Sequence, residues 1–297
     1  MISIRPKRFW WMTAAVATAL FGNGLCAAAD DAPNVKQMTL DLGDGAALKL
    51  VLIPAGKFIM GSSDPEKKRF SPQAGADETL HEVTLTRPFY LGATHVTVDQ
   101  FAAFVRKTGY TTDAEREGGG PTWRNPGIAQ NGDHPVVTMS YNDARAFCDW
   151  LTKVHAKNCH LPGEAQWEYA CRAGTSTAFA WGDDPADGKL SAHWNAPRAG
   201  TAPAGSLKPN PWGLYDMHGN ALAWCSDCYG PYAKGPVTDP AGPAAPFPYD
   251  FSGGRTHVLR GGAWHLPPAQ CRSAYRHWGA VDHRFSGLGF RVCVDVP

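Results

Sequence analysis

The side chains best suited to chemistry are concentrated near the C terminus, in residues 264–278. Cys271, His265 and His277 offer one thiolate and two imidazoles, a catalytic set that could hold copper or iron. Five further residues suit substrate binding, since arginine pairs with anions and aromatic rings stack on flat ligands. They are Trp264, Arg272, Tyr275, Arg276 and Trp278. The alternative is that Cys271 is disulfide-bonded and that both histidines are ordinary surface or core residues.

Long helices are poor candidates for holding this segment in place. The 297 residues include 32 glycines and 24 prolines, and each such residue inside a helix costs roughly 1–3 kcal/mol. This composition argues against a coiled coil, a helical bundle and a polytopic membrane protein. A hydrophobic fraction of 43% with 11 tryptophans argues against disorder. The composition indicates a turn-rich domain with an aromatic core.

Three helices and four strands are predicted from the local patterns. One helix is expected at residues 98–108 and another at residues 162–173. A further helix is expected to begin after Ser140, which suits the N-cap, with Asp143 at the third helical position. Residues 48–60 alternate as two strands around a Pro-Ala-Gly turn, and residues 81–90 as two more. The basic residues 67–69 are expected in a solvated loop. The predicted class is α+β with much irregular structure.

Residues 1–29 have the features of a secretory signal peptide. Three basic residues precede an apolar stretch, and three alanines ending at Ala29 offer a cleavage site. The alternative is a membrane anchor, but the stretch is short and is interrupted at residues 22–24. The chain is therefore predicted to be exported to the periplasm. Residues 30–297 are predicted to form one domain that is not embedded in a membrane.

The charge balance points to a small-molecule or peptide substrate. The chain holds 28 Lys and Arg against 27 Asp and Glu, without the basic stripe that nucleic-acid binding needs. Phosphate-binding loops, nucleophile elbows and His-Glu-x-x-His motifs are absent from the sequence. Seven cysteines follow the leader, and in an exported chain they are disulfide candidates with at least one left over. Cys225 and Cys228 lack the second pair that a zinc site needs.

Six motifs along the chain resemble the formylglycine-generating-enzyme (sulfatase-modifying factor) family and come in that family's order. They begin at Ile53 (IPAGKFIMG), Pro135 (PVVTMS), Leu161 (LPGEAQWEYA), Gly213 (GLYDMHGN), Leu259 (LRGGAW) and Gly287 (GLGFRV). The resemblance covers residues 48–295. It implies a single α+β domain, related to C-type lectins, with little regular secondary structure.

The resemblance also shows where this chain departs from the family's copper chemistry. Family members oxidise a sulfatase cysteine with O2 and copper held by two thiolates. This chain has Leu266 at the position of the first of those cysteines, and Ala263 at the position of the serine associated with the oxygen chemistry. The second cysteine is kept as Cys271. Leucine cannot bind copper, so the two-thiolate site cannot form as in the family. A copper or iron ion held by Cys271 with histidines stays open.

Structural calcium is the other cofactor that the resemblance suggests. Asn195, Gly219 and Asn220 match calcium-binding positions of the family, but the expected glutamate falls on Ala223. Calcium prefers six to eight oxygens with carboxylates among them. One weak site is expected, and the alternative is that the two asparagines only satisfy turn backbones.

The family's bridged cysteines map onto this chain in part. Cys148 and Cys293 approximate a bridged pair, which implies a disulfide between them. Cys171 matches another bridged cysteine, but its partner position holds Arg276. Cys171 is therefore expected to pair elsewhere, with Cys159 as one candidate, or to stay free.

Three functions are consistent with these features. The first is an exported oxidative maturation factor for a small molecule, because the chain resembles the periplasmic branch that helps to oxidise the siderophore chromophore of pyoverdine. The second is a formylglycine-generating oxidase that acts on a sulfatase cysteine through an altered metal site. The third is a non-catalytic ligand-binding module, since members of this fold also recognise ligands.

Overall fold

A computed structural model describes residues 35–70, 77–195, 200–243 and 255–296. The predicted signal peptide, residues 1–29, lies outside the described residues. The described residues all belong to one compact unit. Within the described ranges, no helix combines the length and the apolar character needed to cross a membrane.

Twelve strands, numbered in chain order, form three small sheets in the described part of the chain. The five-stranded sheet has the order β1 (Gln37–Gly43), β2 (Ala46–Ile53), β5 (Phe89–Gly92), β12 (Cys293–Asp295) and β6 (Cys159–His160). The four-stranded sheet has the order β10 (His277–Ala280), β9 (Thr256–Arg260), β7 (Leu222–Cys228) and β11 (Leu288–Phe290). The third sheet has the order β3 (Gly56–Met60), β4 (His81–Leu85) and β8 (Val237–Thr238).

Five α-helices pack around these sheets in the described ranges. They are α1 (Asp64–Phe70), α2 (Val98–Thr108), α3 (Asp113–Glu117), α4 (Tyr141–His155) and α5 (Glu164–Arg172). The three predicted helices are confirmed as α2, α4 and α5. Ser140 caps α4 in a reciprocal capping box with Asp143, as its position predicted. The basic residues 67–69 belong to α1, so their assignment to a loop was wrong; they occupy the last turn, where cations stabilise the helix dipole.

The core consists of two aromatic-rich clusters, and the predicted α+β class is confirmed. The first joins α2, α4 and β11 through Phe101, Phe147 and Phe290, whose ring centroids lie 5.4–6.4 Å apart. The second contains Trp167 of α5 and Val258 of β9. Truncating a buried phenylalanine in such a cluster costs about 3–5 kcal/mol. This packing fixes α5 against β7 and β9, the elements that carry the candidate site.

A bulge in β7 determines which of its side chains leaves the sheet. Trp224 pairs with Leu259 of β9, but the next pair along is Cys228 with His257. Residues 225–227 are therefore partly out of register, and a bulge of this kind redirects side chains beside functional sites. Asp227 lies in this bulge.

Candidate functional site

The segment predicted to do chemistry is largely buried. The Cys271 side chain is fully inaccessible, and a Cβ added to Gly262 would lie within 2.3 Å of its sulfur. Burial raises the pKa of the Cys271 thiol well above its ordinary value. The thiol is free of any disulfide. A buried, protonated thiol is a poor nucleophile and a poor metal ligand.

The predicted metal set of Cys271, His265 and His277 is not assembled. The described residues contain no group of three or more His, Cys, Asp or Glu that could hold a metal ion. His265 packs instead beside Phe285, with ring centroids 5.8 Å apart, and the backbone N–H of Trp278 bonds to His277 Nδ1. Because Leu266 also occupies the place of a copper cysteine, these residues do not fit a thiolate-held copper ion.

The two arginines of the segment are paired with carboxylates inside the protein. Arg272 is fully buried and bonds to Glu66 at 2.6 Å and to Glu78 at 2.8 and 3.0 Å. Arg276 holds both oxygens of Glu164, at 2.6 and 2.8 Å. Their charges are therefore already neutralised by internal carboxylates. Binding of an anionic substrate by these arginines stays a prediction.

The predicted substrate-binding residues have different surroundings in the structure. Trp264 donates from Nε1 to the carbonyl of Ser286, and Ser286 and Phe285 line an open cavity of about 610 Å³. Arg276 lines a different cavity. Tyr275 is buried and Trp278 is half-buried in β10. Arg276 thus lines one of these cavities, and Trp264 contacts a residue that lines the other.

The predicted calcium residues occupy turns. Asn220 has a left-handed backbone (φ +64°), and its amide makes two hydrogen bonds to Ala202: Oδ1 accepts the N–H at 2.9 Å, and Nδ2 donates to the carbonyl at 3.1 Å. Gly219 donates its N–H to Gly261, and Asn195 is exposed. Calcium binding stays a prediction, and the described contacts fit the turn-stabilising alternative better.

Asn220→Ala should lower the free energy of unfolding by about 1–3 kcal/mol, because it removes both bonds to Ala202 and leaves alanine in a left-handed backbone. Denaturant unfolding in calcium and in EDTA measures this loss, which should be equal in both. Asn195→Ala is the matched control, since that residue is also left-handed but exposed. A loss seen only in calcium would instead identify Asn220 as a ligand.

The predicted Cys148–Cys293 disulfide is not formed, and all seven described cysteines are free. Both thiols are fully buried, and burial raises the pKa of each well above its ordinary value. Cys171 also stays free, with its sulfur 3.6 Å from His218 Nε2 and 3.7 Å from Ser273 Oγ. Of the two alternatives expected for Cys171, pairing with a cysteine such as Cys159 or staying free, the structure shows the free thiol.

A second cavity brings Arg276 together with polar groups that local sequence patterns did not indicate. We call it the Asp227 cavity; its volume is about 460 Å³, and it is lined by His81, Glu164, Asp227, Tyr232 and Arg276 together with apolar side chains such as Met60. His81 begins β4, Glu164 begins α5, and Asp227 projects from the bulge of β7. Two sheets and a helix terminus thus contribute to one cavity wall.

Two carboxyl groups in this cavity differ in their surroundings. Glu164 is held by Arg276, whereas Asp227 makes no ion pair with any residue in the described ranges. Asp227 accepts the N–H of Glu164 at 2.8 Å and the hydroxyl of Ser226 at 3.2 Å, both at Oδ2. Burial, and then the nearby Glu164 carboxylate, raise the pKa of Asp227 to about 7. Such a group can exchange a proton near neutral pH.

The bond from Glu164 to Asp227 also has a structural role. Gly163 is the N-cap of α5 and has no side chain to accept the first N–H groups. Asp227 Oδ2 accepts one of them from the neighbouring strand, which satisfies a group that helix termini leave unpaired. Its other oxygen, Oδ1, receives no hydrogen bond from the described residues.

A buried charge network holds Glu164 and Arg276 in place. Glu168 of α5 is fully buried and accepts hydrogen bonds from the N–H of Gly61, from Arg172 and from Arg260. Burial alone would raise the pKa of Glu168, but the charges of the two arginines and the Gly61 bond outweigh it, and the pKa is lowered. Arg260 Nε also lies 3.4 Å from Glu164.

The comparisons with known proteins agree with this fold. A sequence profile for the sulfatase-modifying factor enzyme 1-like domain matches residues 43–296. The chain belongs to the sulfatase-modifying factor family. Within this family it is 34% identical to the formylglycine-generating enzyme of Streptomyces coelicolor, over 83% of this chain and 89% of that protein. It is 31% identical to the formylglycine-generating enzyme of Bos taurus, over 83% of this chain and 75% of that protein.

A solved structure of the family gives the same picture. PvdO from Pseudomonas aeruginosa superimposes with a TM-score of 0.71 at 29% identity, over 87% of this chain and 98% of that one. The predicted family membership and fold are thus confirmed. The Asp227 cavity was missed because its acids lie in separate motifs; the signal available was Glu164 at a helix start and Asp227 between two cysteines of a strand.

Proposed function

We propose that this protein is an exported oxidative maturation factor that acts on a small molecule, such as a siderophore chromophore, bound in the Asp227 cavity. The observation that carries the proposal is the loss of the thiolate pair: Leu266 replaces one sulfur, and the other, Cys271, is buried. The similarity to PvdO and the resemblance to the periplasmic pyoverdine-maturation branch support a small-molecule substrate. The predicted leader supports export.

The reaction would remove two electrons and two protons from the substrate, with O2 as the acceptor and H2O2 as the second product. Asp227 is suited to accept one of those protons, because its pKa of about 7 lets it take up and release a proton near neutral pH. The apolar wall, which includes Met60 and Val237, limits access of water to the bound ring. Arg276 holds Glu164 in place.

The test is turnover of a reduced chromophore of the dihydropyoverdine type by the purified mature protein, followed by absorbance and by oxygen uptake. A parallel reaction with a sulfatase peptide that contains the target cysteine tests the formylglycine alternative. We expect oxidation of the small molecule and an unchanged peptide mass. Peptide oxidation without chromophore oxidation would overturn the proposal. N-terminal sequencing of periplasmic protein tests the predicted cleavage before Asp30.

Cys271→Ala should keep the rate of chromophore oxidation, because the thiol is buried, free and protonated. Thermal unfolding of the variant shows that it is folded, and metal analysis of the wild-type protein accompanies the assay. A folded variant that has lost its activity would contradict this prediction and show that the reaction depends on the Cys271 thiol.

A non-catalytic ligand-binding module is the second candidate. It is favoured by the absence of any assembled metal-ligand group from the described residues. The same assay separates the two functions, since a binding module would bind the chromophore without consuming oxygen.

A further inference from the structure

We infer that the Asp227 cavity selects a small ligand that carries a protonated nitrogen, with that nitrogen bound at the Asp227 carboxylate. The inference rests on the proposed function only in taking this cavity as the substrate site. It adds the chemical class of the ligand, and it concerns binding rather than turnover.

The first argument is the uncompensated acid. Asp227 is only 4% exposed, and yet no cation lies within ion-pair distance of it in the described ranges. Burying an ionised carboxyl group without a partner is costly. Its two hydrogen bonds both end on Oδ2, so Oδ1 keeps its capacity to accept. A ligand cation at Oδ1 would supply the missing partner.

The second argument excludes an anionic ligand. Arg276 is the cationic side chain among the described lining residues. Its Nε and Nη2 are occupied by Glu164, and its Nη1 donates to the carbonyl of Asp77. A guanidinium held bidentately by one carboxylate has little charge left for another. Among the described lining residues, Asp227 is therefore the acid without an ion-pair partner, and it is negative when ionised.

The third argument concerns the body of the ligand. The volume of about 460 Å³ lies in the range of small-molecule sites, and much of the wall is apolar. His81 and Tyr232 form a ring pair with centroids 4.6 Å apart, and Arg276 lies 3.9 Å from the Tyr232 ring. This pair gives the wall a rigid aromatic surface. An alkyl amine that carries an aromatic ring matches both the wall and the acid.

Calorimetric titration with phenethylamine and 2-phenylethanol tests the inference, because the two probes differ in an ammonium against a hydroxyl group. We expect phenethylamine to bind at least about tenfold more tightly to the wild-type protein. Asp227→Asn keeps the acceptor for the Glu164 N–H and should remove this preference. Glu117→Gln, an exposed acid at the other cavity, is the matched control and should keep it. Equal binding of both probes, no binding, or a preference that survives in Asp227→Asn would overturn the inference.

Proton release gives an independent readout. Below pH 7 the amine should displace a proton from Asp227, so the heat of binding should vary with the ionisation enthalpy of the buffer. The ionisable groups that interact with Asp227 from the surrounding elements are Glu164, Arg276, His257, Tyr141, Cys225 and Cys228. If the protein does not oxidise the chromophore but still prefers phenethylamine, the proposed reaction is rejected and this inference stands.

Discussion

Glu168→Gln should lower the free energy of unfolding by about 3–5 kcal/mol, the range for breaking a buried ion pair. Every group that contacts the Glu168 carboxylate is a donor: the Gly61 N–H, Arg172 and Arg260. The amide NH2 of glutamine would face one of these donors and leave it without an acceptor. The two arginines would also lose the charge that balances them.

Denaturant unfolding followed by tryptophan fluorescence measures this loss. Glu82→Gln is the matched control, because Glu82 pairs with Lys57 on the surface, where both side chains are largely exposed. Exposed pairs contribute about 0–1 kcal/mol, so the control should unfold close to the wild-type midpoint. Similar losses in both variants would mean that the buried network adds little to stability.

Asp227→Asn should make the protein more stable at and above neutral pH. In the unfolded chain this carboxyl titrates near its ordinary pKa of 3.8, whereas in the folded protein the pKa is about 7. Between these values the folded state binds more protons, so wild-type stability falls as pH rises from about 4 to 7. The difference corresponds to roughly 4 kcal/mol at most. Asparagine does not ionise, and it keeps an acceptor for the Glu164 N–H.

Unfolding midpoints of both proteins across this pH range measure the effect. The two should be close near pH 4 and should separate as pH rises, with the variant the more stable. Asp133→Asn, an exposed acid, should follow the wild-type profile throughout. A variant that is less stable than wild type at every pH would show that Asp227 is a structural cap alone. Functional groups that cost stability are a common feature of active sites.

Much of the fold follows from local signals. Apolar spacing predicted α2, and the N-cap at Ser140 together with apolar spacing predicted α4. In the structure Thr97 and Ser140 each satisfy the helix terminus that they precede. Strand alternation predicted β2 to β5. The short helices α1 and α3 were missed, since five to seven residues carry too little periodicity to be recognised.

The candidate site was harder to predict from the sequence, because its charged residues pair with partners that are distant in the chain. Arg272 and Arg276 were predicted to bind an anionic substrate, whereas the acids that they pair with lie far away in the chain. Glu66 is 206 residues from Arg272, and Glu164 is 112 residues from Arg276. No spacing rule connects such positions. The bulge that places Asp227 in the cavity depends equally on the pairing of β7 with β9. Loss of the copper cysteine, by contrast, was readable at a single position, Leu266.

The register shift in β7 makes the choice of side chain at residue 227 independent of the pairing of the strand. The ladder is secured on either side of the shift, at Trp224 and at Cys228. The residues between them are therefore released from the alternation of inward and outward side chains that a regular strand imposes. A substitution at residue 227 can change the charge that a ligand meets without moving a pair of the sheet. The scaffold can in this way acquire new ligand preferences by single replacements at one short segment.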